Sequence, residues 1–258
     1  MKTKGILVSF LSVLILPILY GFTPYENFLL SGEPRRVGLI ALADEEVMNE
    51  LLPDGLRIGQ NSQAKLKAAG VENLNVFVRQ IEGQGFVFAF YEWKNTCTEN
   101  LTTILSENCP EIAGIEAKLT AHPRADEEQV WHKMEWMTCI ATTRAFPHKS
   151  ATVHKMGLMS GLKPDKELDY RFLHQTNWPG IVDGMIASNY RNWTTFLIDL
   201  GDKLYLFTYF EHIGEDIDAD NKVMASDAVT NRWWQFTEPC LINLAGEGNW
   251  SAMTSLLN

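Results

Sequence analysis

The stretch Asn73-Leu74-Asn75-Val76-Phe77-Val78-Arg79-Gln80-Ile81, the turn Glu82-Gly83-Gln84-Gly85 and the run Phe86-Val87-Phe88-Ala89-Phe90-Tyr91-Glu92-Trp93 decide the reading of this chain. Shifted by 119 residues, the pattern returns as Asn192-Trp193-Thr194-Thr195-Phe196-Leu197-Ile198-Asp199-Leu200, Gly201-Asp202-Lys203 and Leu204-Tyr205-Leu206-Phe207-Thr208-Tyr209-Phe210-Glu211. Aromatic and β-branched residues at this density, bounded by compact glycine-bearing turns, predict one β-hairpin in each copy. Outward from the hairpins, the same ungapped offset aligns 37–92 with 156–211. It pairs Gly38 with Gly157, Ala68 with Ala187, Asn73 with Asn192, Phe77 with Phe196, Phe88 with Phe207 and Glu92 with Glu211. An internal repeat at fixed spacing takes precedence over any single motif.

Upstream of each hairpin stand an apolar strand (37–42 and 156–159) and an acidic stretch of helical period. Downstream we read a helical stretch with an aromatic pair, Trp131-His132 in the first copy and Trp233-Trp234 in the second. Each is followed by a cysteine, Cys139 or Cys240, and by a last extended stretch near 150–153 or 250–257. The order β-α-β-β-α-β is the ferredoxin-like unit, whose helices cover only one sheet face. The bare faces must be covered. The expectation is an α+β fold of two tandem ferredoxin-like (βαββαβ) repeats, residues 35–150 and 151–258, closed on each other as an intramolecular α/β barrel of the dimeric type.

Hydrophobic residues at 46% and charged residues at 21% of 258 are those of a packed globular chain. A net charge of −10 argues against a broad nucleic-acid surface, which needs a basic footprint. Lys2 and Lys4 precede an uncharged apolar run over 5–22. Such a run reads as an export signal or N-terminal membrane anchor (1–22), followed by a tether (23–34). The expected location is outside the cytoplasm, periplasmic or extracellular, or at a membrane held only through this segment. Cys97 and Cys109 flank a short segment and suit a pair in an exported protein, while Cys139 and Cys240 sit in apolar sequence. No cysteine or histidine has metal-ligand spacing, so no metal is expected.

The second copy holds the chemistry. Tyr170 and His174 stand at i and i+4, on one face of a helix. Trp178-Pro179 follows, Asn192-Trp193 opens the next strand, Leu206-Phe207 leads to Glu211, and Arg232-Trp233-Trp234 lies further on. In these four separated motifs, over about 154–257, the chain resembles the L-rhamnose mutarotases. The resemblance implies a ferredoxin-like subunit that pairs into an α/β barrel, no metal or organic cofactor, and interconversion of the α and β anomers of a deoxy-sugar. It places the catalytic histidine on His174, the sugar-contacting tyrosine on Tyr170 and the tandem tryptophans on Trp233 and Trp234. The family's strand-start tyrosine falls on Trp193, a departure that removes a phenolic hydroxyl and bears on which sugar is bound.

The residue chemistry points the same way. Anomer exchange by ring opening moves one proton to the ring oxygen and one from the anomeric hydroxyl, work suited to a histidine titrating near neutrality. His174 is then the general acid/base and Tyr170 an orienting or proton-exchanging partner. Trp233, Trp234 and Trp193 are candidate plates for a monosaccharide. Successive helix positions point about 100° apart, so the two tandem indoles need not share a role. Trp178 reads as packing, Glu92 and Glu211 as structural or binding groups, and the acidic run 215–220 as a solvated loop. At the same offset the first copy has Leu51, Gly55 and Gly59 where the second has Tyr170, His174 and Trp178, and Pro53 interrupts the matching helix. The first copy is expected to be a permanent structural partner; a separate site at Trp131 and His132 is the alternative. Against the enzyme stands a non-catalytic carbohydrate-binding or scaffold protein of the same fold. A heme or small-aromatic monooxygenase of the same barrel class has no axial-ligand signature to support it.

Overall fold

The computed structural model describes residues 33–95, 100–127, 129–143, 145–147, 152–246 and 248–257. The expectations placed on residues 1–32 and on Cys97 lie outside them. No helix among the described residues is long and apolar enough to cross a membrane.

The first repeat runs β1 (Arg35–Ala43), α1 (Glu45–Asp54), α2 (Gln60–Ala68), β2 (Val71–Ile81), β3 (Gln84–Trp93), α3 (Ile104–Asn108), α4 (Pro110–Glu116), β4 (His132–Lys133) and β5 (Glu135–Ile140). The second runs β6 (His154–Leu162), α5 (Glu167–Gln175), α6 (Pro179–Ala187), β7 (Tyr190–Leu200), β8 (Lys203–His212), α7 (Ile217–Ser226), α8 (Ala228–Thr237), β9 (Leu241–Ile242) and β10 (Ser251–Ser255). Three strands and one helix of the first repeat have bounds that fall on those of the second at the 119-residue offset: β1 on β6, α2 on α6, β2 on β7, β3 on β8. The irregularity in strand pairing also repeats, between Glu72 and Asn75 and between Arg191 and Thr194. Asn73 and Asn192 sit inside these bulges at φ of 49° and 53°, a left-handed conformation asparagine tolerates better than most residues.

The strand order is β4-β1-β3-β2-β10-β6-β8-β7-β5. Met134 alone separates β4 from β5, so one passage of chain begins the order and ends it, and the sheet closes into a barrel. Each repeat's last strand serves both halves. β4 pairs with its own β1 before β5 pairs with β7 of the second repeat. β10 likewise pairs with its own β6 through Ser251–Met253 and with β2 of the first repeat through Thr254 and Ser255. Strand alternation then sorts the side chains. Phe77, Phe86, Phe88, Phe90, Phe196, Phe207 and Tyr209 fill the barrel, with Phe90 and Tyr209 stacked at 3.8 Å. Burying a side chain of this size stabilises by about 1.5–3 kcal/mol. The two repeated glycines make room for the repeated phenylalanines across the barrel. A Cβ on Gly38 would lie 2.8 Å from Phe196, and one on Gly157 would lie 2.6 Å from Phe77.

Two sequence readings are corrected here. Trp131-His132 is not helical: His132 opens β4, and the helices matching α7 and α8 are the short α3 and α4. The strand pairing aligns His132 and Lys133 with Ser251 and Ala252, so Trp131 matches Trp250 at the same 119-residue offset. Consequently Cys139, in β5, and Cys240, beside β9, are not equivalent, and the first repeat's last strand is β4–β5 rather than a stretch near 150–153. Nor is Cys139 in apolar surroundings. Its sulfur accepts from Thr194 Oγ1 at 3.2 Å, next to Asn192.

At one end of the barrel a polar cluster joins the halves. Asn192 Nδ2 donates to Glu92 (2.7 Å) and Glu211 (3.3 Å), and Asn73 Nδ2 donates to Glu211 (2.9 Å) and Glu92 (3.5 Å). Arg36 Nε donates to Asn192 Oδ1 at 3.3 Å, and the Tyr209 hydroxyl to Glu211 at 2.8 Å. The repeated Asn and Glu thus satisfy one another across the pseudo-twofold, a structural role that bears out one of the two readings of Glu92 and Glu211.

Candidate active site

The site grows from α5. Glu167 and Asp169 lie in its first turn, where negative charge complements the helix dipole. Arg171 ties the helix down, pairing with Glu167 at 2.7 Å and reaching Glu135 on β5 of the first repeat through both terminal nitrogens. These partners push its pKa further up, so Arg171 keeps its charge. The face opposite solvent then presents Tyr170, buried, and His174 one turn on, with ring centroids 4.1 Å apart and planes inclined by 29°. Helix α5 stops at Thr176, and Pro179 restarts the chain as the first residue of α6.

Between these helices and the outer face of β6, β7 and β8 lies a cavity of about 440 Å³. All five residues singled out in the sequence line it: Tyr170, His174, Trp193, Trp233 and Trp234. Helix α8 supplies the tandem tryptophans. Thr230, Trp233 and Thr237 form its buried face, while Trp234 is half-buried at the cavity wall. Trp233 meets His174 edge-on at 5.2 Å. Trp178 is absent from the lining and packs edge-on against Trp233 and Phe236, as the packing reading expects. Trp193 lies flat on Phe210, centroids 4.7 Å apart.

Sequence reasoning missed Tyr190, Asn221, Trp250 and Ile140, which also line the cavity. The register was the available signal for Trp250, and for Tyr190 it was the bulge at Asn192, which brings positions 190 and 193 to one face. Ile140 belongs to β5, so the first repeat completes the second repeat's cavity. The acidic run is corrected as well. Asp216 caps α7, accepting from the amides of Asp218 and Ala219 at 3.0 Å, and Asp220 pairs with the buried His212 at 2.7 Å.

Electrostatics set the protonation of the two central residues. His174 Nδ1 lies 2.9 Å from the Tyr170 backbone carbonyl. A carbonyl oxygen only accepts, so Nδ1 carries the proton and Nε2 of the neutral ring holds the lone pair. Burial lowers the His174 pKa to about 4, with the carbonyl bond opposing, so the ring is neutral at pH 7 and does not titrate near neutrality as the sequence reading expects. Burial raises Tyr170 well above the ordinary phenol range, so it keeps its proton. Among the described residues no group of three or more His, Cys, Asp or Glu side chains is arranged to hold a metal.

Residues 155–256 match the family model of the L-rhamnose mutarotases. The mutarotase-like half is therefore the half that carries the cavity, and Tyr170, His174, Trp193, Trp233 and Trp234 all fall within the matched span. No curated protein sequence matches significantly. Among solved structures, the chain is similar to proteins provisionally described as monooxygenases from Fusobacterium nucleatum and Lactobacillus acidophilus. Identity is 8% to each, over 86% of this chain and 92% or 94% of theirs, at TM-scores of 0.46 and 0.45. It is also similar to an anthrone oxidase-like protein at 11% identity, over 87% of this chain and 92% of that one, at a TM-score of 0.38. None of these three carries an argument for activity.

Proposed function

We propose that this protein is a cofactor-free sugar mutarotase that interconverts the α and β anomers of L-rhamnose or a closely similar monosaccharide from its second repeat. The observation that carries the reading is a neutral histidine with its basic nitrogen fixed as Nε2, stacked on a protonated tyrosine in an aromatic-walled cavity. His174 accepts the proton of the anomeric hydroxyl while the ring oxygen gains one, breaking the bond from C1 to the ring oxygen and giving the open aldehyde. Rotation about C1–C2 and reclosure with the proton moves reversed yield the other anomer, with no net change in atoms or charge. Tyr170, which keeps its proton, donates a hydrogen bond that orients the ring oxygen, and water carries the second proton. Trp234, Trp193 and Trp250 offer apolar faces to the sugar's C–H surface. The first repeat acts as a structural partner, contributing Ile140 and the Glu135 anchor for α5. The basic start and apolar run over 1–22, read as an export signal or anchor, support a step outside the cytoplasm, on sugar released there before uptake.

Saturation-transfer NMR on the anomeric protons of L-rhamnose tests the proposal, using the full chain at a pH where spontaneous exchange is slow. Accelerated exchange that disappears in His174→Ala is the expected result. Binding without acceleration moves the protein to the carbohydrate-binding class, and neither signal overturns both readings.

A further inference from the structure

We infer that Tyr190 and Asn221 form a hydroxyl-reading pair, one that selects sugars by the C3–C4 edge of the ring. The inference rests on the mutarotase reading of the same cavity. Tyr190 opens β7 and is buried, and its hydroxyl donates to Asn221 Oδ1 at 2.5 Å. Both residues line the cavity. They sit toward the far end of it from the Tyr170–His174 stack. Tyr190 pairs across the sheet with His212, at the last position of β8, whereas Tyr170 packs with Leu197 and Leu206, toward the hairpin end of the same two strands.

The chemistry of the pair matches a sugar hydroxyl. With its proton committed to Asn221, the Tyr190 oxygen retains acceptor capacity, and Asn221 Nδ2 makes no bond among the described residues. One acceptor beside one donor complements a group that both donates and accepts. In a six-membered sugar ring C4 stands across from C1, and C3 across from the ring oxygen. A sugar whose C1 and ring oxygen meet His174 and Tyr170 therefore turns its C3–C4 edge toward the opposite end. Burial, with the carboxylates of Asp220 and Asp218 nearby, raises the Tyr190 pKa to about 12, so the phenol keeps its proton across the working range.

The fold does not require this hydroxyl. The first repeat has the same strands and the same bulge, with Val71 at the matching position and Leu74 opposite Trp193.

The test compares L-rhamnose with its 3-deoxy and 4-deoxy derivatives, using the full chain and its Tyr190→Phe and Asn221→Ala variants. Affinity is read from tryptophan fluorescence, exchange from saturation-transfer NMR, and folding from thermal unfolding. The wild type should bind L-rhamnose about tenfold more tightly than at least one deoxy derivative. Each variant should lose most of that preference, weakening toward L-rhamnose while hardly changing toward that derivative. Asn221 is exposed, so its replacement keeps the test alive if Tyr190→Phe fails to fold. Variants that unfold at lower temperature yet keep the preference make the pair a structural latch for α7 and overturn the inference, while exchange in the wild type leaves the mutarotase reading intact. Selective binding without exchange does the reverse, and a wild type that binds none of the three sugars overturns both.

Discussion

Trp131 and Trp250 occupy the same register position in the two repeats and have opposite fates. Trp131 is 1% exposed in a continuous core with Tyr91, Leu105 and Ile112, its indole N–H donating to Glu116 at 3.1 Å. Trp250 is half-buried on the wall of a cavity. Around them the difference extends residue by residue. Leu51, Gly55, Val71 and Leu74 stand in the first repeat where Tyr170, His174, Tyr190 and Trp193 stand in the second. One backbone therefore carries a core filled by Trp131 on one side, beside an open cleft of about 550 Å³ at Val71 and Leu74, and an aromatic-walled cavity on the other. The filled core yields stability, and the aromatic-walled cavity presents polar groups and aromatic faces to a ligand.

The sharpest test of this contrast is a matched pair of truncations. Trp131→Ala should destabilise by about 3–5 kcal/mol. Trp250→Ala should cost far less stability and instead weaken sugar binding. Denaturant unfolding of both variants with titration of L-rhamnose checks this, and equal losses of stability would erase the distinction between the halves. Next in size, His174→Ala should slow anomer exchange by about a hundredfold with little loss of fold. Gly38→Ala and Gly157→Ala should each destabilise by about 1–3 kcal/mol, because both force a phenylalanine of the opposite repeat out of its place. Similar values would show that the barrel interior stayed symmetric while the outer layers diverged.

The smallest effect concerns pH. Because His174 titrates at about 4 in the folded chain, the unfolded chain, near the ordinary 6.5, takes up that proton first as pH falls. Its contribution to stability is thus full above about 6.5 and is lost as pH falls toward 4. Catalysed exchange should keep its acid limb near 4, and a rate profile breaking near 6.5 would show the ring to be hydrated when sugar is bound.

The hairpin pattern and the 119-residue offset make the barrel legible in the sequence because strands under a fixed register preserve their residue spacing. Gly38 and Phe196, and Gly157 and Phe77, keep their identities because each pair meets inside the barrel. Tyr170 and His174 are legible for another reason, since i, i+4 spacing converts directly into a shared helix face, and the tandem tryptophans are legible through the Arg-Trp-Trp motif. What misled was the region between the hairpin and the last strand. Its helices differ in length between repeats, and an aromatic pair on a helix resembles one that enters a strand. Matching Trp131-His132 to Trp233-Trp234 hid the simpler match of Trp131 to Trp250 and of Met134 to Met253 at the unchanged offset. Tyr190 escaped notice because strand alternation puts positions 190 and 193 on opposite faces until the bulge at Asn192 is known.

The crossing of β5 and β10 between repeats has a genetic consequence. In a symmetric homodimer every codon change is expressed twice, so a substitution that fills one ligand pocket fills the other and abolishes the activity. Joining both subunits in one reading frame lifts that restriction. The exchanged strands keep the halves registered at an effective concentration no dilution can lower. One half is then free to change its outer layer, and the other can be altered for a new ligand with its scaffold left untouched.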